Sequence, residues 1–467
     1  MKPQTNLLEK NASALTWADE ERNPQDPVEV FAAGIRNHNL ANTAYPIAHR
    51  KTIWDYKVSE ERYEELLSSS FRAFEEIGLY MHIPFCEAKC RYCEYTVVTG
   101  TQREGRLSYL EALQEELYFY GNLLGPKELV GLDIGGGTPS LLETEDVVKL
   151  IKAMDANFIR KEGFSISIET TPKLAAELPD RIKDFREAGI DRISMGLQTV
   201  NPDMLRRYGR ELNRVDYNTL AVRNIRKAGF NRFNVDLMYG FAKQSPEDFL
   251  QTVEHAIRLE PEYITLYRMR YKGTLVSKEA AEVELDRVND MYNKGRELMA
   301  KHGYLANPGK NTFSRVYTEI GTSAYLTERV SKATPYLGTG LGAQTFTCNL
   351  LAYNQGAASK KMNRYIESIQ EKKAPIQDLY LLPPGEGMAK MIAVSFYFGE
   401  INTKAFIDKF GVSFEKRFAP ELDFIREEGL MKKEGDYFSL TKKGANYFNG
   451  VIALFYSDRV KEHLISL

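Results

Sequence analysis

From Ile77 onward, short apolar segments of strand character alternate about six times with amphipathic helical segments. The predicted strands are Gly78–Ile83, Leu129–Ile134, Ser165–Glu169, Arg192–Leu197, Arg232–Met238 and Tyr263–Arg268. The predicted helices between them are Leu110–Leu123, Thr144–Asn157, Leu174–Ala188, Asp216–Ala228 and Pro246–Arg258. Such alternation is typical of parallel strands joined by crossover helices. We therefore expect an α/β fold with a partial (β/α)6 TIM-type barrel.

Each predicted strand has one apolar face and one face of small or polar residues. In the second strand Gly131, Asp133 and Gly135 share the polar face. The corresponding residues of the other strands are Tyr80 and His82; Ser165, Ser167 and Glu169; Ser194, Gly196 and Gln198; and Asn234 and Asp236. Exposure to solvent is one explanation, but helices cover the outside of parallel barrels. We therefore expect a wide, polar lumen that holds a ligand.

The chain divides into four segments that differ in composition and in the pattern of predicted elements. Residues 1–75 are predicted to be a polar N-terminal arm with one helix from Ser59 to about Glu76, residues 76–310 the barrel, and residues 311–382 a connecting segment that completes it. Residues 383–467 are predicted to form a winged-helix-like cap. Its predicted elements are three helices (Gly385–Phe396, Asn402–Phe410 and Glu415–Glu428), two short strands around a Gly-Asp turn, and a closing helix.

Composition limits the classes of partner and compartment. Winged helices often bind DNA, but the net charge of −2 and the lack of an Arg-rich recognition helix favour a lid on the barrel, without a nucleic-acid partner. No apolar run reaches the ~18 residues of a transmembrane segment, and no secretory signal is visible at the N-terminus. Three of the four cysteines fall in one motif, which suits a reducing compartment. We expect a soluble cytoplasmic protein.

Cys86, Cys90 and Cys93 form a C-x3-C-x2-C motif just after the first strand. Thiolates this close together can hold one iron–sulfur cluster from a single loop. Three ligands leave one iron of a [4Fe–4S] cluster without a protein donor, and an open position is typical of a reactive metal. A zinc loop or unrelated thiols are the alternatives, but zinc needs a fourth ligand nearby. The remaining cysteine, Cys348, is expected to be a buried packing thiol; quenching of a radical is the alternative.

A glycine-rich run, Gly135-Gly-Gly-Thr-Pro139, follows the second strand directly. Glycines allow backbone N–H and C=O groups to approach a bound molecule closely, and Thr138 adds a hydroxyl. The cysteine motif and this run therefore lie at the carboxyl ends of neighbouring strands.

These motifs occur in order with Ser167-Ile-Glu, Arg192-Ile-Ser-Met-Gly-Leu-Gln198 and Asn234-Val-Asp-Leu-Met-Tyr-Gly240. From about Tyr80 to the C-terminus, the chain resembles the oxygen-independent coproporphyrinogen III oxidase-like family of the radical S-adenosylmethionine (SAM) superfamily. The resemblance implies a [4Fe–4S] cluster on Cys86, Cys90 and Cys93, two SAM molecules, and an electron donor such as flavodoxin or ferredoxin. It implies a set of SAM-binding residues: Tyr80, Gly136 and Glu169 for the SAM on the cluster, and Tyr92, Gly137, Thr138, Gln198, Arg210 and Asp236 for the second. Taken singly, Arg210 could be a surface charge and Asp236 a buried cap.

Three departures from the family pattern bear on the reaction. Tyr95 stands where the oxidases have a further cysteine, Arg270 stands where they have a small residue near the second SAM, and no His-Asn-x-x-Tyr-Trp run precedes Tyr336. We therefore expect the class C radical SAM methyltransferase branch, with methylation of an sp2 carbon in a small planar substrate such as a quinone, heteroaromatic ring or tetrapyrrole. Anaerobic coproporphyrinogen III oxidation or related haem processing, and haem binding by a chaperone, are the alternatives.

Basic residues beyond the sixth strand are candidates for substrate contact. Arg268, Arg270 and Lys272 could engage a substrate carboxylate or the second SAM, and Arg270 is included among the predicted cofactor-binding residues. Surface salt bridges are the alternative. The sequence assigns no catalytic residue.

Overall fold

The computed structural model describes residues 22–467; the first 21 residues of the predicted arm lie outside this range. The described residues form seventeen strands: β1 (Glu76–Ile83), β2 (Phe85–Cys86), β3 (Val98–Thr99), β4 (Glu128–Gly136), β5 (Ile159–Arg160), β6 (Ile166–Thr170), β7 (Arg192–Gln198), β8 (Arg232–Tyr239), β9 (Tyr263–Arg268), β10 (Thr312–Ser314), β11 (Tyr336–Thr339), β12 (Gln344–Phe346), β13 (Leu350–Asn354), β14 (Ile376–Leu381), β15 (Glu400–Asn402), β16 (Met431–Glu434) and β17 (Tyr437–Leu440). Twelve of them make one sheet with the order β10-β9-β8-β7-β6-β4-β1-β11-β12-β13-β14, with β5 beside β4.

The six predicted barrel strands are confirmed as β1, β4, β6, β7, β8 and β9, which run parallel and lie side by side in chain order. The apolar faces of these strands are fully buried beneath the surrounding helices, as at Leu79, Ile168 and Val235. The partial TIM-type barrel predicted from strand–helix alternation is therefore the fold of this protein.

The α-helices are α1 (Pro27–Arg36), α2 (His49–Thr52), α3 (Tyr63–Phe71), α4 (Arg103–Leu124), α5 (Thr144–Asn157), α6 (Pro172–Glu177), α7 (Pro179–Glu187), α8 (Pro202–Arg207), α9 (Tyr217–Lys227), α10 (Pro246–Arg258), α11 (Leu285–Lys301), α12 (Ala324–Ser331), α13 (Asn363–Gln370), α14 (Pro384–Ser395), α15 (Thr403–Phe410), α16 (Phe414–Arg417), α17 (Ala419–Glu427), α18 (Lys442–Asn446), α19 (Phe448–Leu454) and α20 (Asp458–Ile465). The predicted helix 174–188 is split into α6 and α7 at Pro179, because proline cannot continue the hydrogen bonding of the preceding helix. Proline has the same effect at Pro420, near the start of α17.

The segment 311–382 extends the sheet at both edges. Strand β11 pairs parallel with β1, and β12, β13 and β14 follow it in antiparallel order. Strand β10 adds antiparallel to β9 at the other edge. Helices α12 and α13 lie between some of these strands, but β12, β13 and β14 pair antiparallel, so the regular strand–helix period that marks the barrel does not continue through the segment.

The predicted polar lumen is present at the carboxyl end of the barrel, whereas the lower part of the barrel is filled by the protein itself. The residues of the predicted polar faces that line the open part are Glu169, Ser194, Gly196, Gln198 and Asp236. Ser194 and Asn234 both bond to Asp236, and Thr265 continues this network to the Asn234 side chain. From outside the barrel strands, the segment 321–325 enters the base: Ser323 donates to Asp133 at 2.8 Å, and the backbone of Tyr325 lies against Gly131. Above this filled base, the carboxyl end of the barrel remains open.

The C-terminal part contains a three-stranded sheet, β15-β17-β16, with α14 to α20 around it. The predicted arm contributes to this part, since α1 packs against α19 and Val30 and Ala33 lie in the same apolar core as Ile452 and Ala453. Gly34 permits the contact, because a Cβ there would lie 2.5 Å from the carbonyl oxygen of Asn449. Within residues 22–467, no helix combines the length and apolar character that a membrane crossing requires.

Candidate active site

A cavity of about 370 Å³ opens at the carboxyl ends of the barrel strands. The cysteine loop and the glycine-rich turn form one end of its wall, and strand ends of β6 to β9 form its floor. The loop after α1 and the helices α14 and α19 close the other end. The cavity therefore joins the two sequence motifs to parts of the chain that are remote from them in sequence.

The three cysteines face this cavity from one loop. Backbone bonds fix the loop: Cys93 N–H donates to the Cys90 carbonyl, and Arg91 N–H donates to the Tyr208 carbonyl. The Cys86 sulfur lies 3.3 Å from the Thr138 hydroxyl, and the Arg210 guanidinium donates to the Cys90 sulfur at 3.3 Å. Burial raises the pKa of Cys86 to about 11 and also raises that of Cys93.

The donor set fits an iron–sulfur cluster better than a single ion. In the described part of the chain, no group of three or more His, Cys, Asp or Glu side chains is placed to hold one metal ion. A cluster makes a different demand, because each thiolate binds a different iron atom. Three free thiols spread along one cavity wall meet that demand, and metal binding would stabilise their thiolate forms.

The glycine-rich turn is tied directly to the cysteine loop. Gly137 N–H donates to the Ile83 carbonyl and Thr138 N–H donates to the Phe85 carbonyl. Gly136 has φ of +116°, and a Cβ at this position would lie 2.5 Å from the His82 ring, so only glycine fits here. These constraints hold Gly136, Gly137 and Thr138 on the cavity wall beside Cys86.

Two carboxyl groups stand on the cavity floor. Glu169, at the end of β6, accepts from Gly136 N–H at 3.2 Å, and Asp236 accepts from Ser194 at 2.8 Å. Burial raises the pKa of Glu169 to about 7, with a further contribution from the charge of Asp236, and burial also raises the pKa of Asp236. Glu169 therefore exists in both protonation states near neutral pH.

Gln198 and Arg210 each have a buried polar side-chain atom without a hydrogen-bond partner in the described part of the chain. Gln198 adopts φ of +68° at a register shift at the end of β7, a backbone conformation that costs energy and is common at functional sites. Its side-chain oxygen and the Arg210 Nε are buried without a hydrogen-bond partner among residues 22–467. Buried polar atoms of this kind on a cavity wall are suited to a bound polar ligand.

Of the predicted site residues, twelve line the cavity: Cys86, Cys90, Tyr92, Cys93, Gly136, Gly137, Thr138, Glu169, Gln198, Arg210, Asp236 and Arg270. Tyr80 does not. Its hydroxyl lies 3.2 Å from the His82 Nδ1, and the Nε2 of the same ring is held by a 2.7 Å hydrogen bond to the Thr96 carbonyl. Cys348 is 4% exposed and lies away from the cavity, as expected for a packing thiol.

The outer wall contains residues that sequence analysis did not identify. They are His38, Asn39, Asn42 and Thr43 from the N-terminal segment; Tyr239, Tyr267 and Tyr292 from the barrel; and Phe396, Tyr397, Phe448 and Asn449 from the C-terminal part. Arg270 forms an ion pair with Glu94 on this wall. Arg268 donates to Asn449 and His38. Of the residues on this wall, Arg268 and Arg270 are the two that the sequence indicates as candidates for ligand contact. They lie at and just beyond the end of a predicted strand.

Comparison with known proteins agrees with this architecture. Residues 80–256 match the family model described as the Radical SAM superfamily. The chain is 26% identical to "Heme chaperone HemW" of Haemophilus influenzae over 392 residues, covering 82% of this chain and 98% of the relative. It is also 26% identical to "Oxygen-independent coproporphyrinogen III oxidase" of Escherichia coli K12, covering 72% of this chain and 75% of the relative.

A solved structure has the same fold. The coproporphyrinogen III oxidase (HemN) of Escherichia coli superposes with a TM-score of 0.72 at 23% identity, covering 88% of this chain and 96% of that one. Its likeness concerns the fold alone. The family match over residues 80–256 and the shared fold make this chain similar to the radical SAM superfamily, whose members use a [4Fe–4S] cluster and SAM.

Proposed function

We propose that this protein is a radical SAM enzyme whose substrate is a tetrapyrrole, a macrocycle of four pyrrole rings that carries carboxylate side chains. One observation carries the proposal: a single cavity joins the three cysteines and the Gly136–Thr138 turn to a wall of aromatic and basic side chains. The two relatives described above are named for haem and for coproporphyrinogen, which are both tetrapyrroles.

The residues assigned to the cofactors are those of the inner cavity. Cys86, Cys90 and Cys93 would hold the cluster, and the Gly136–Thr138 turn with Glu169 would hold a SAM molecule beside it. When bound, the cluster and SAM supply a carbon-centred radical that can remove a hydrogen atom from the substrate. The assignment of Gln198, Arg210 and Asp236 to a second SAM molecule stays a prediction.

The remaining residues of the cavity orient and shield the reactants. Arg210 donates a hydrogen bond to the Cys90 sulfur at 3.3 Å and so can orient this cluster ligand. Glu169 can accept a hydrogen bond from an ammonium or hydroxyl group in its ionised form, and its neutral form avoids repulsion with Asp236. Tyr239, Tyr292 and Phe448 supply flat apolar surfaces, which can pack against a bound ring system and exclude water from it.

Methyl transfer is not supported by the relatives described above, which are named as an oxidase and a chaperone. We therefore replace the methyltransferase expectation by tetrapyrrole chemistry. Binding of haem without SAM cleavage is the second candidate, since the chain covers 98% of the length of the haem chaperone. The absence of the oxidase cysteine at Tyr95 leaves the type of tetrapyrrole reaction to experiment.

The test is product analysis under anaerobic conditions. Reconstituted protein is incubated with SAM, a reductant and either coproporphyrinogen III, haem or no tetrapyrrole, and 5′-deoxyadenosine, S-adenosylhomocysteine and carbon dioxide are quantified. We expect a tetrapyrrole to increase 5′-deoxyadenosine formation several-fold and to be consumed. Cys90→Ala should abolish SAM cleavage, whereas the matched control Cys348→Ala should retain it.

Three results would contradict the proposal. If neither tetrapyrrole changes the amount of 5′-deoxyadenosine that is formed, a tetrapyrrole substrate is excluded. Equal amounts of 5′-deoxyadenosine and S-adenosylhomocysteine would instead indicate methyl transfer. Stoichiometric haem binding with no SAM cleavage would indicate the chaperone function.

A further inference from the structure

We propose that Arg268 forms a carboxylate subsite at the outer end of the cavity and binds an acidic side chain of the substrate. The inference rests on the proposed function, because it assigns the recognition of a tetrapyrrole carboxylate to a particular residue. It selects Arg268 from the three basic residues, Arg268, Arg270 and Lys272, that the sequence offers as candidates for substrate contact.

The hydrogen-bond partners of Arg268 are both uncharged. At the end of β9, its guanidinium donates to the Asn449 Oδ1 at 2.7 Å and to the His38 Nδ1 at 2.5 Å. A guanidinium can only donate, so His38 must accept through an unprotonated Nδ1. Burial, together with the charge of Arg268, lowers the pKa of His38 to about 4, so this imidazole is neutral at pH 7.

Arg268 lacks a carboxylate partner within the described residues 22–467. The contrast with its neighbour is direct: Arg270, two residues further, is paired with Glu94. Burial lowers the pKa of Arg268, which is the direction expected for a cation removed from water without a neutralising charge. An anionic ligand would supply that charge.

The head group of Arg268 is held in a fixed orientation. Asn449 donates through Nδ2 to the carbonyl oxygens of His38 at 2.9 Å and Ala41 at 2.6 Å. These bonds determine which way the Asn449 amide points, so its Oδ1 must face Arg268. The N-terminal segment, the barrel and α19 therefore all converge on one guanidinium that lines the cavity. Residues that are held in place by such partners bind a ligand with little loss of side-chain freedom.

The chemistry of the subsite indicates a carboxylate on a flat ring. Two of the five N–H donors of Arg268 are used by His38 and Asn449, which leaves donors for a bidentate contact with a carboxylate. Tyr239, Tyr292 and Phe448 line the same end of the cavity and supply apolar surface for the ring. A side chain with a terminal carboxylate can thus reach Arg268 while its ring stacks on these aromatic groups.

The experiment compares an acid with its ester. Reconstituted protein is titrated anaerobically with coproporphyrin III and with its tetramethyl ester, and binding is followed by porphyrin absorbance. Because charge-assisted hydrogen bonds contribute about 1.5–3 kcal/mol, we expect the wild type to bind the acid at least about tenfold more tightly than the ester. Arg268→Gln should remove this preference, and Arg268→Lys should retain only part of it. Arg223→Gln, on the exposed surface of α9, should keep it in full.

A second variant keeps the arginine in place. His38→Glu supplies an internal carboxylate beside Arg268 and should also abolish the preference for the acid, even if Arg268→Gln fails to fold. Persistence of the preference in either folded variant would overturn the subsite. Equal binding of acid and ester by the wild type would overturn it too, while leaving the tetrapyrrole substrate intact. If the wild type binds neither compound, the proposed function itself fails.

Discussion

Glu116 shows how one buried side chain links separate segments of the chain. It lies on α4 and is fully buried, and its carboxylate accepts hydrogen bonds from Gly340 N–H, Asn354 and Tyr365. Burial raises its pKa to about 7 in spite of these donors. The sequence alone gives no indication of this role, because the partners of Glu116 are more than 200 residues away along the chain.

Replacement of Glu116 changes the pH dependence of stability. The folded protein holds the Glu116 proton more tightly than the unfolded chain, so the free energy of unfolding should fall as pH rises from about 4.5 to about 7. The shift corresponds to a loss of about 3 kcal/mol across that interval. In Glu116→Gln this contribution is absent, and urea unfolding midpoints at pH 5 and pH 8 should differ less than in the wild type. Other buried carboxyl groups titrate in both proteins, so only an unchanged difference would contradict the assignment.

At the scale of elements, the sequence predicts the strands and helices whose apolar residues recur at regular spacing. The six parallel strands and four of the five helices between them are predicted correctly, because alternating apolar residues and helical spacing repeat along the chain. The exception is the predicted helix 174–188, which is split at Pro179. The segment 321–325 that fills the base of the barrel has no such period, so the polar residues that meet it were assigned to an open lumen. The inner end of the cavity was predictable from two contiguous motifs, but its outer wall comes from residues near positions 40, 397 and 449, which no local pattern connects.

Gly131 tests the contact between β4 and this segment. An alanine Cβ would collide with the backbone nitrogen of Tyr325, which cannot move without displacing Ser323 from Asp133. We expect Gly131→Ala to lower the free energy of unfolding by about 1–3 kcal/mol, the usual cost of overpacking. The control is Gly105→Ala on α4, where the added methyl meets only the side chain of Thr101 and should be neutral or stabilising. Equal stability of the two variants would show that the base of the barrel is loosely packed.

At the scale of the whole molecule, the first and last parts of the described range, residues 22–467, form one structure. Helix α1 packs on α19, and Arg22 bonds to Glu421 of α17, which is also paired with the buried Lys461 of α20. The loop that follows α1 brings His38 to the cavity. The N-terminal segment therefore joins the C-terminal part to the substrate end of the site, so damage to this junction should affect both stability and ligand binding.

Glu421 is the centre of this junction, because it and Lys461 are 1% and 0% exposed. Glu421→Gln leaves the buried Lys461 ammonium with only Asp458, at 4.0 Å, as a carboxylate partner and should lower the free energy of unfolding by about 2–4 kcal/mol. The double variant Glu421→Gln with Lys461→Met should recover part of this loss. Thermal unfolding of the two variants and the wild type measures the effect, and a double variant no more stable than the single one would contradict it.

The central claim is that Cys86, Cys90 and Cys93 hold a cluster with one iron open to SAM. The most direct measurement is electron paramagnetic resonance of the reduced, reconstituted protein with and without SAM, together with its iron content. We expect about four irons per chain and a cluster signal whose g-values change when SAM is added, with neither feature in Cys90→Ala. A signal that SAM leaves unaltered, or a full cluster in the Cys90→Ala protein, would contradict the account.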